Sequence, residues 1–272
     1  MGRAIDVSKF QGTIDYDALP ADIDTILMQA AYGLTGVDPD FARNWSETLR
    51  TGRTPVPYFY AYPEDAVDYG GAHAQAVHFY NTVTAVAGPL YAGVLAPRLA
   101  LDLEEAKGSV QWAIEFLSQL INLDGLTPYF YSYLSYINTT LSGGVGLAKY
   151  SLLWLADTGI GAGPPPCPKG WPEVTLWQNN QHGTEPGIDG PVDEDVEVTP
   201  VPTPSVEVPE VDTATFVRLL YACLVFRVPT DENLAEWSTY VETHGQAESF
   251  IAFSAEPEAV AKRAKIANLL TS

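Results

Sequence analysis

Two acids two positions apart, Asp102 and Glu104, stand in the apolar run LALDLEEA at residues 99–106. On a strand, residues i and i+2 share a face, so both carboxyls would point the same way, about 7 Å apart along the backbone. One carboxyl that keeps its proton beside one that is ionised is the minimum equipment for splitting a glycosidic bond. The plainer alternative is a pair of acids that solvates the end of a buried strand. Two further acids stand in comparable settings, Asp6 in AIDVSKFQGTIDYDAL and Asp193 in GIDGPVDEDV.

The elements that must position these acids can be read from the pattern of the chain. RAIDVSKF, DTILMQAAYG, VPYFYAYP, RLALDLEE, PYFYSYLS, SLLWLAD and VTLWQNN are near-continuous apolar runs, as expected of strands buried on both faces. Between the early ones, DPDFARNWSETLRTG, AVDYGGAHAQAVHFYNTVTAVAG and SVQWAIEFLSQLINLDG have helical spacing and close at or near a Gly. Ser109 is placed to cap the third helix. Such alternation over nearly 200 residues predicts a parallel α/β sheet or barrel, whose site lies at the carboxyl ends of the strands. Asp6, Asp102, Glu104, Tyr131 and Gln178 all fall toward such ends. Trp45 and Trp112 fall in helices and are assigned to packing.

Composition removes several classes of partner. With 14 basic against 34 acidic residues the formal charge is −20, which repels a phosphate backbone and argues against nucleic acid. No apolar run reaches the roughly 20 residues needed to span a bilayer, so stable membrane insertion is not expected. MGRAIDVSKF has no apolar h-region or cleavage site, so no secretory signal is read and a start in a cytoplasm is expected. Cys167 and Cys223 make no disulfide framework. His73, His78, His182 and His244 are scattered, without zinc spacing, and no metal or cofactor is expected.

With 272 residues and 46% hydrophobic content the chain can hold one large domain and one small one. Residues 1–198 are assigned to the barrel and 199–211, rich in Pro, Val and Glu, to a semi-extended linker. Residues 212–272 are helical by pattern, with Phe216, Leu219, Leu220, Leu224, Leu234, Trp237, Tyr240, Phe250 and Phe253 at three- and four-residue spacing. Three short helices around these residues are predicted.

Residues 4 to about 197 resemble the family 25 glycoside hydrolases, the Chalaropsis-type lysozymes. The resemblance rests on IDVSKFQGTIDY, the Asp102 and Glu104 pair, and the YS, WLAD, LWQ and VDED elements, six matches in the family's order. It implies an irregular TIM-like (β/α) barrel, followed here by the small all-α domain. It also implies hydrolysis of the β-1,4 bond between N-acetylmuramic acid and N-acetylglucosamine in bacterial peptidoglycan, without a cofactor. By that resemblance Glu104 is the general acid, Asp102 the carboxylate beside it, and Asp6 and Asp193 further acids of the cleft. Tyr60, Tyr62, Tyr131, Trp154, Asp157, Trp177 and Gln178 are candidates for the sugar-binding groove, though the aromatic ones can equally pack the barrel. A retaining, an inverting and a substrate-assisted course all remain open.

The chain departs from the family at MQAAYG, where a Lys-Ala-Thr-like segment is usual, and at Phe59, where a His is usual; altered subsite contacts are expected. Segments FVRLLYACLVFRVP and FIAFSAEPE with Trp237 resemble a small helical domain family of unassigned function, a candidate cell-wall attachment module. A bacteriophage endolysin, held in the host cytoplasm until lysis and then acting on the wall, is the reading these features favour. A bacterial autolysin and a catalytically silent glycan-binding barrel are the alternatives. A chitinase-like hydrolase would carry an Asp where this chain has Ala100.

Overall fold

Runs of Val, Ile, Leu, Tyr and Phe become strands that are apolar toward helices on one side and toward one another on the other. The structure, a computed structural model, describes residues 2–63, 69–88, 98–158, 165–199, 212–221 and 229–255. Its strands are β1 (Arg3–Val7), β2 (Ile23–Tyr32), β3 (Gly36–Val37), β4 (Thr54–Tyr60), β5 (Ala100–Asp102), β6 (Tyr129–Tyr133), β7 (Leu152–Ala156), β8 (Leu176–Gly183) and β9 (Val192–Glu197). Helices α1 (Phe41–Arg50), α2 (Tyr69–Ala87), α3 (Val110–Asp124) and the short α4 (Leu134–Thr139) lie between them in sequence.

The strands run in the order β1-β9-β8-β7-β6-β5-β4-β2, and pairing of β2 with β1 closes the ring, with β3 added to the end of β2. Neighbours from β1 through β2, β4, β5, β6, β7 to β8 are parallel. The last strand corrects the all-parallel expectation: β9 is antiparallel to both β8 and β1. Residues 184–191, between β8 and β9, are too few for the dozen or so that a parallel crossover needs, so the chain turns back on itself. The result is an irregular α/β barrel.

Strand alternation divides the side chains. Ala4, Leu27, Val56, Tyr58, Ala100, Tyr129, Tyr131, Trp154, Ala156 and Leu176 pack together inside the ring. On the outside Phe59 sits between Phe79 and Phe116, ring centroids 5.4 and 5.1 Å away, and is fully buried. The departure at Phe59 therefore belongs to the layer between sheet and helices and corrects the expectation of a changed subsite. Trp45 and Trp112 are buried as well. Helix α3 begins where Ser109 Oγ accepts the amide of Trp112 at 3.1 Å and ends at Gly125, whose φ of 78° only glycine adopts freely. These two signals fix how α3 leaves the strand that carries Asp102.

The chain divides into two compact units, Met1–Val83 with Pro97–Thr203, and Thr84–Ala96 with Pro204–Ser272. In the second, α5 (Thr213–Leu220) buries Phe216 and Val217, and α6 (Asp231–Ala255) runs 25 residues without a break. One long helix thus replaces the shorter ones predicted there. No Pro interrupts it, Thr230 Oγ1 accepts the amide of Asn233, and Asp231 and Glu232 favour its first turn. Residues 200–211 and Leu224, which carry the linker and one predicted core position, lie outside the described residues, and nothing is described of the Leu219, Leu220, Phe250 and Phe253 side chains. Among the described residues no helix is long and apolar enough to cross a membrane.

Candidate active site

Each acid reaches the interior through strand register. On β1 the inward residue after Ala4 is Asp6, which pairs with Leu27 of β2 and with Asp193 of β9. On β5 Asp102 pairs with Tyr60 of β4 and Tyr131 of β6. Leu103 faces the other way, fully buried, its amide donating to the Tyr131 carbonyl at 3.1 Å and its carbonyl accepting from Ser132 Oγ at 2.7 Å. The backbone therefore stays extended past the end of β5, and Glu104 returns to the face of Asp102. Asp6, Asp102, Glu104 and Asp193 are brought together at the carboxyl end of the barrel, close enough to perturb one another.

Below them lies a buried polar and aromatic layer. Tyr131 Oη donates to Gln178 Oε1 at 2.8 Å, and its ring packs on Trp154 with centroids 4.4 Å apart. Trp154 Nε1 donates to Asp195 Oδ1 at 2.6 Å, and Tyr58 meets the same indole edge-on at 6.0 Å. Tyr60 Oη donates to Glu105 Oε1 at 2.9 Å. Asp102 Oδ1 and Asp195 Oδ2 are buried without a hydrogen-bond partner among the described residues.

Crowding and desolvation set the protonation. Burial, and then the charges of Glu104, Asp6 and Glu105, push Asp102 well above the usual carboxylate range. Asp6 is raised strongly by burial and by Asp195 and Asp193, against a hydrogen bond from Tyr58. Burial, with Glu105 and Asp193, raises Glu104 to about 7, although a hydrogen bond with Tyr131 opposes it. Asp193 is raised to about 6 by burial, with His182 opposing, and Asp195 to about 8 by burial and by Asp193 and Glu194. Burial thus raises Asp6, Asp102, Asp193 and Asp195 as well as Glu104, where the sequence pointed to Glu104 alone.

The proposed groove residues separate into two sets. Tyr60 and Tyr62 are half-buried neighbours, ring centroids 5.2 Å apart, and Tyr62 touches Tyr32 in turn. Tyr131 and Gln178 join inside the barrel beside the acids. Trp154 also lies inside but is 1% exposed, which leaves no face for a sugar. Trp177 is not brought to the cleft: it lies between the inward Leu176 and Gln178 and points outward, its indole donating to the Asp157 carbonyl at 2.9 Å. Asp157 directly follows β7, with its amide on the Gln178 carbonyl at 3.2 Å. Asp195, Tyr58 and Glu105 belong to the cluster and were not singled out from sequence. Asp195 was within reach, since in VDED it alternates onto the face of Asp193. Among the described residues no group of three or more His, Cys, Asp or Glu is arranged to hold a metal ion.

A closed barrel that gathers carboxyls of unequal proton affinity at the carboxyl ends of its strands is the equipment of a glycoside hydrolase. The family model described as glycosyl hydrolases family 25 matches residues 5–188, and the chain belongs to that family. Its fold is similar to that of the bacterial lysozyme from Streptomyces coelicolor, with 23% identity over 72% of this chain and 92% of that one and a TM-score of 0.60. A muramidase from Trichobolus zukalii is similar at 21% identity over 74% of this chain and 95% of that one, with a TM-score of 0.59. The catalytic domain of endolysin ply40 from bacteriophage P40 of Listeria monocytogenes matches at 23% identity over 73% of this chain and 94% of that one, with a TM-score of 0.56. No curated protein sequence matches the chain.

Proposed function

We propose that this protein is an N-acetylmuramidase that cuts the β-1,4 bond between N-acetylmuramic acid and N-acetylglucosamine in bacterial peptidoglycan. The observation that carries the reading is the convergence of Asp6, Asp102, Glu104 and Asp193 on one end of a family 25 barrel. Glu104 is the general acid: it stands beyond the end of β5, partly exposed, with a proton affinity matched to neutral pH. It protonates the glycosidic oxygen as the bond to the anomeric carbon breaks. Asp193, raised only to about 6 and so ionised at neutral pH, stabilises the positive charge that builds on the sugar, with Asp102, deeper in the barrel, and Asp6 beside it. Tyr131 and Gln178 orient Glu104 from below, while Tyr60 and Tyr62 line the approach.

Glu104→Gln keeps the shape and removes the proton. Release of reducing ends from purified peptidoglycan falls about 10²–10⁴-fold in that variant. Mass analysis of the soluble muropeptides identifies the bond, with muramic acid at the reducing end in agreement and glucosamine there refuting the reading.

The same reading makes the protein an endolysin that waits in the host cytoplasm and meets the wall once the membrane is opened. Cytoplasmic expression in a Gram-positive host would leave cells intact until a membrane permeabiliser is added. Residues 212–272, with 199–211 as spacer, serve as a wall-attachment module; removing them lowers sedimentation of the protein with purified walls and spares hydrolysis of soluble strands.

A further inference from the structure

One turn at the mouth of the barrel is held by hydrogen bonds from several directions. Directly after β1, residues Lys9–Gln11 form a 3-10 turn closed by a reciprocal cap: Ser8 N donates to Gln11 Oε1 at 2.8 Å and Phe10 N to Ser8 Oγ at 3.3 Å. Lys9 N donates to Oδ2 of the buried Asp38 at 2.9 Å, and Gln11 Nε2 reaches the carbonyl of Pro191, just ahead of β9, at 3.4 Å. Arg43 donates to the carbonyl of Gly12, whose φ of 61° admits glycine. The turn thus spans the strand ends that deliver Asp6 and Asp193.

What this bracket holds up is a bare aromatic ring and a cation. Phe10 is 82% exposed, the most exposed large hydrophobic side chain among the described residues, so it adds little to the core. Lys9 Nζ lies 5.3 Å from the Phe10 ring centre and 5.4 Å from that of Tyr32. Among the described residues no carboxylate comes within ion-pair distance of that ammonium. Contacts then continue inward from Tyr32 to Tyr62, from Tyr62 to Tyr60, and from Tyr60 to Glu105 beside Glu104. Edge-on aromatic contacts thus run from the ring under the Lys9 ammonium toward the acids.

We infer that Lys9, Phe10 and Tyr32 form a rim subsite for a glycan unit bearing a carboxylate, with the Phe10 ring on the sugar's apolar face and the Lys9 ammonium on the carboxylate. This rests on the muramidase reading, because stem-peptide carboxylates are what a muramic acid strand presents. An aromatic face favours the C–H side of a pyranose, and a rigid ring pays little ordering entropy on contact. The cation has the opposite sign to a chain at −20, so it offsets at one point the repulsion an anionic polymer meets elsewhere.

The test uses the full chain with Glu104→Gln, titrated with soluble uncrosslinked glycan strands that carry stem peptides. The same strands with their carboxyls converted to amides by carbodiimide coupling form the second arm. Lys9→Gln weakens binding of the native strands about two- to five-fold, the range of an exposed charge contact, and leaves the amidated strands unchanged. Phe10→Ala weakens both about two- to five-fold, and because the ring is exposed the fold is kept, as circular dichroism would verify. Equal effects of Lys9→Gln on both strands, no effect on either, no effect of Phe10→Ala, or no binding of strands at all overturns the subsite. Reducing-end release from the same strands by the unsubstituted protein is scored separately. Its absence refutes the muramidase reading, whereas the binding arms decide the rim.

Discussion

Asp195 makes the clearest physical prediction, because a buried acid held neutral costs stability that an amide does not. Its side chain is 1% exposed, accepts from Trp154 Nε1 at 2.6 Å, and is raised by burial from an ordinary 3.8 to about 8. Between those two values the folded protein holds at Asp195 a proton that the unfolded chain has released, so the contribution of Asp195 to stability falls as pH rises from 3.8 to 8 and is level above and below. At about 1.4 kcal/mol per unit, the three or so units from 3.8 to pH 7 amount to about 4 kcal/mol. Asn at this position still accepts from Trp154 through its oxygen and does not titrate. Asp195→Asn is therefore more stable than the unsubstituted protein by about 4 kcal/mol at pH 7 and by about 2 kcal/mol at pH 5, with the difference closing near pH 4. Urea denaturation of both proteins across this range reads the difference directly. A gap that does not change with pH, or one that widens toward pH 4, would refute the reasoning.

Further outcomes follow from the same geometry. Glu104 must be protonated to act as the acid, so kcat/KM falls as pH rises through about 7; Asp193, active as the anion, makes it fall below about 6. The pH profile then peaks between these values, and an optimum above pH 8 would reject the assignment. Because the chain carries −20 and its substrate wall is anionic, turbidity loss of a cell-wall suspension speeds up from low salt to about 0.1 M, where the screening length is about 10 Å. A flat or falling curve would remove that electrostatic account. Ser109→Ala unties the start of α3 and lowers unfolding free energy by about 1 kcal/mol in denaturant titration.

Local sequence determined what local physics governs. Apolar runs of strand length and Ser109 ahead of α3 each carry their outcome in a few neighbouring residues, and each is found as read, whereas β5 ends at Asp102 and Glu104 follows beyond the strand. The two-residue period of a strand also made Asp195 derivable from Asp193. Only the tertiary structure decided which side of each strand meets the cleft. Closure of the ring turned Phe59 and Trp177 outward and buried Trp154 inside, though all three are aromatic residues in similar runs. The reversal at β9 was likewise decided by the short span between strands, and it sets Asp193 opposite Asp6 across nearly the whole length of the barrel sequence. The proton affinities belong to that level too, because desolvation and like charge depend on acids that are remote in sequence and adjacent only once the barrel closes.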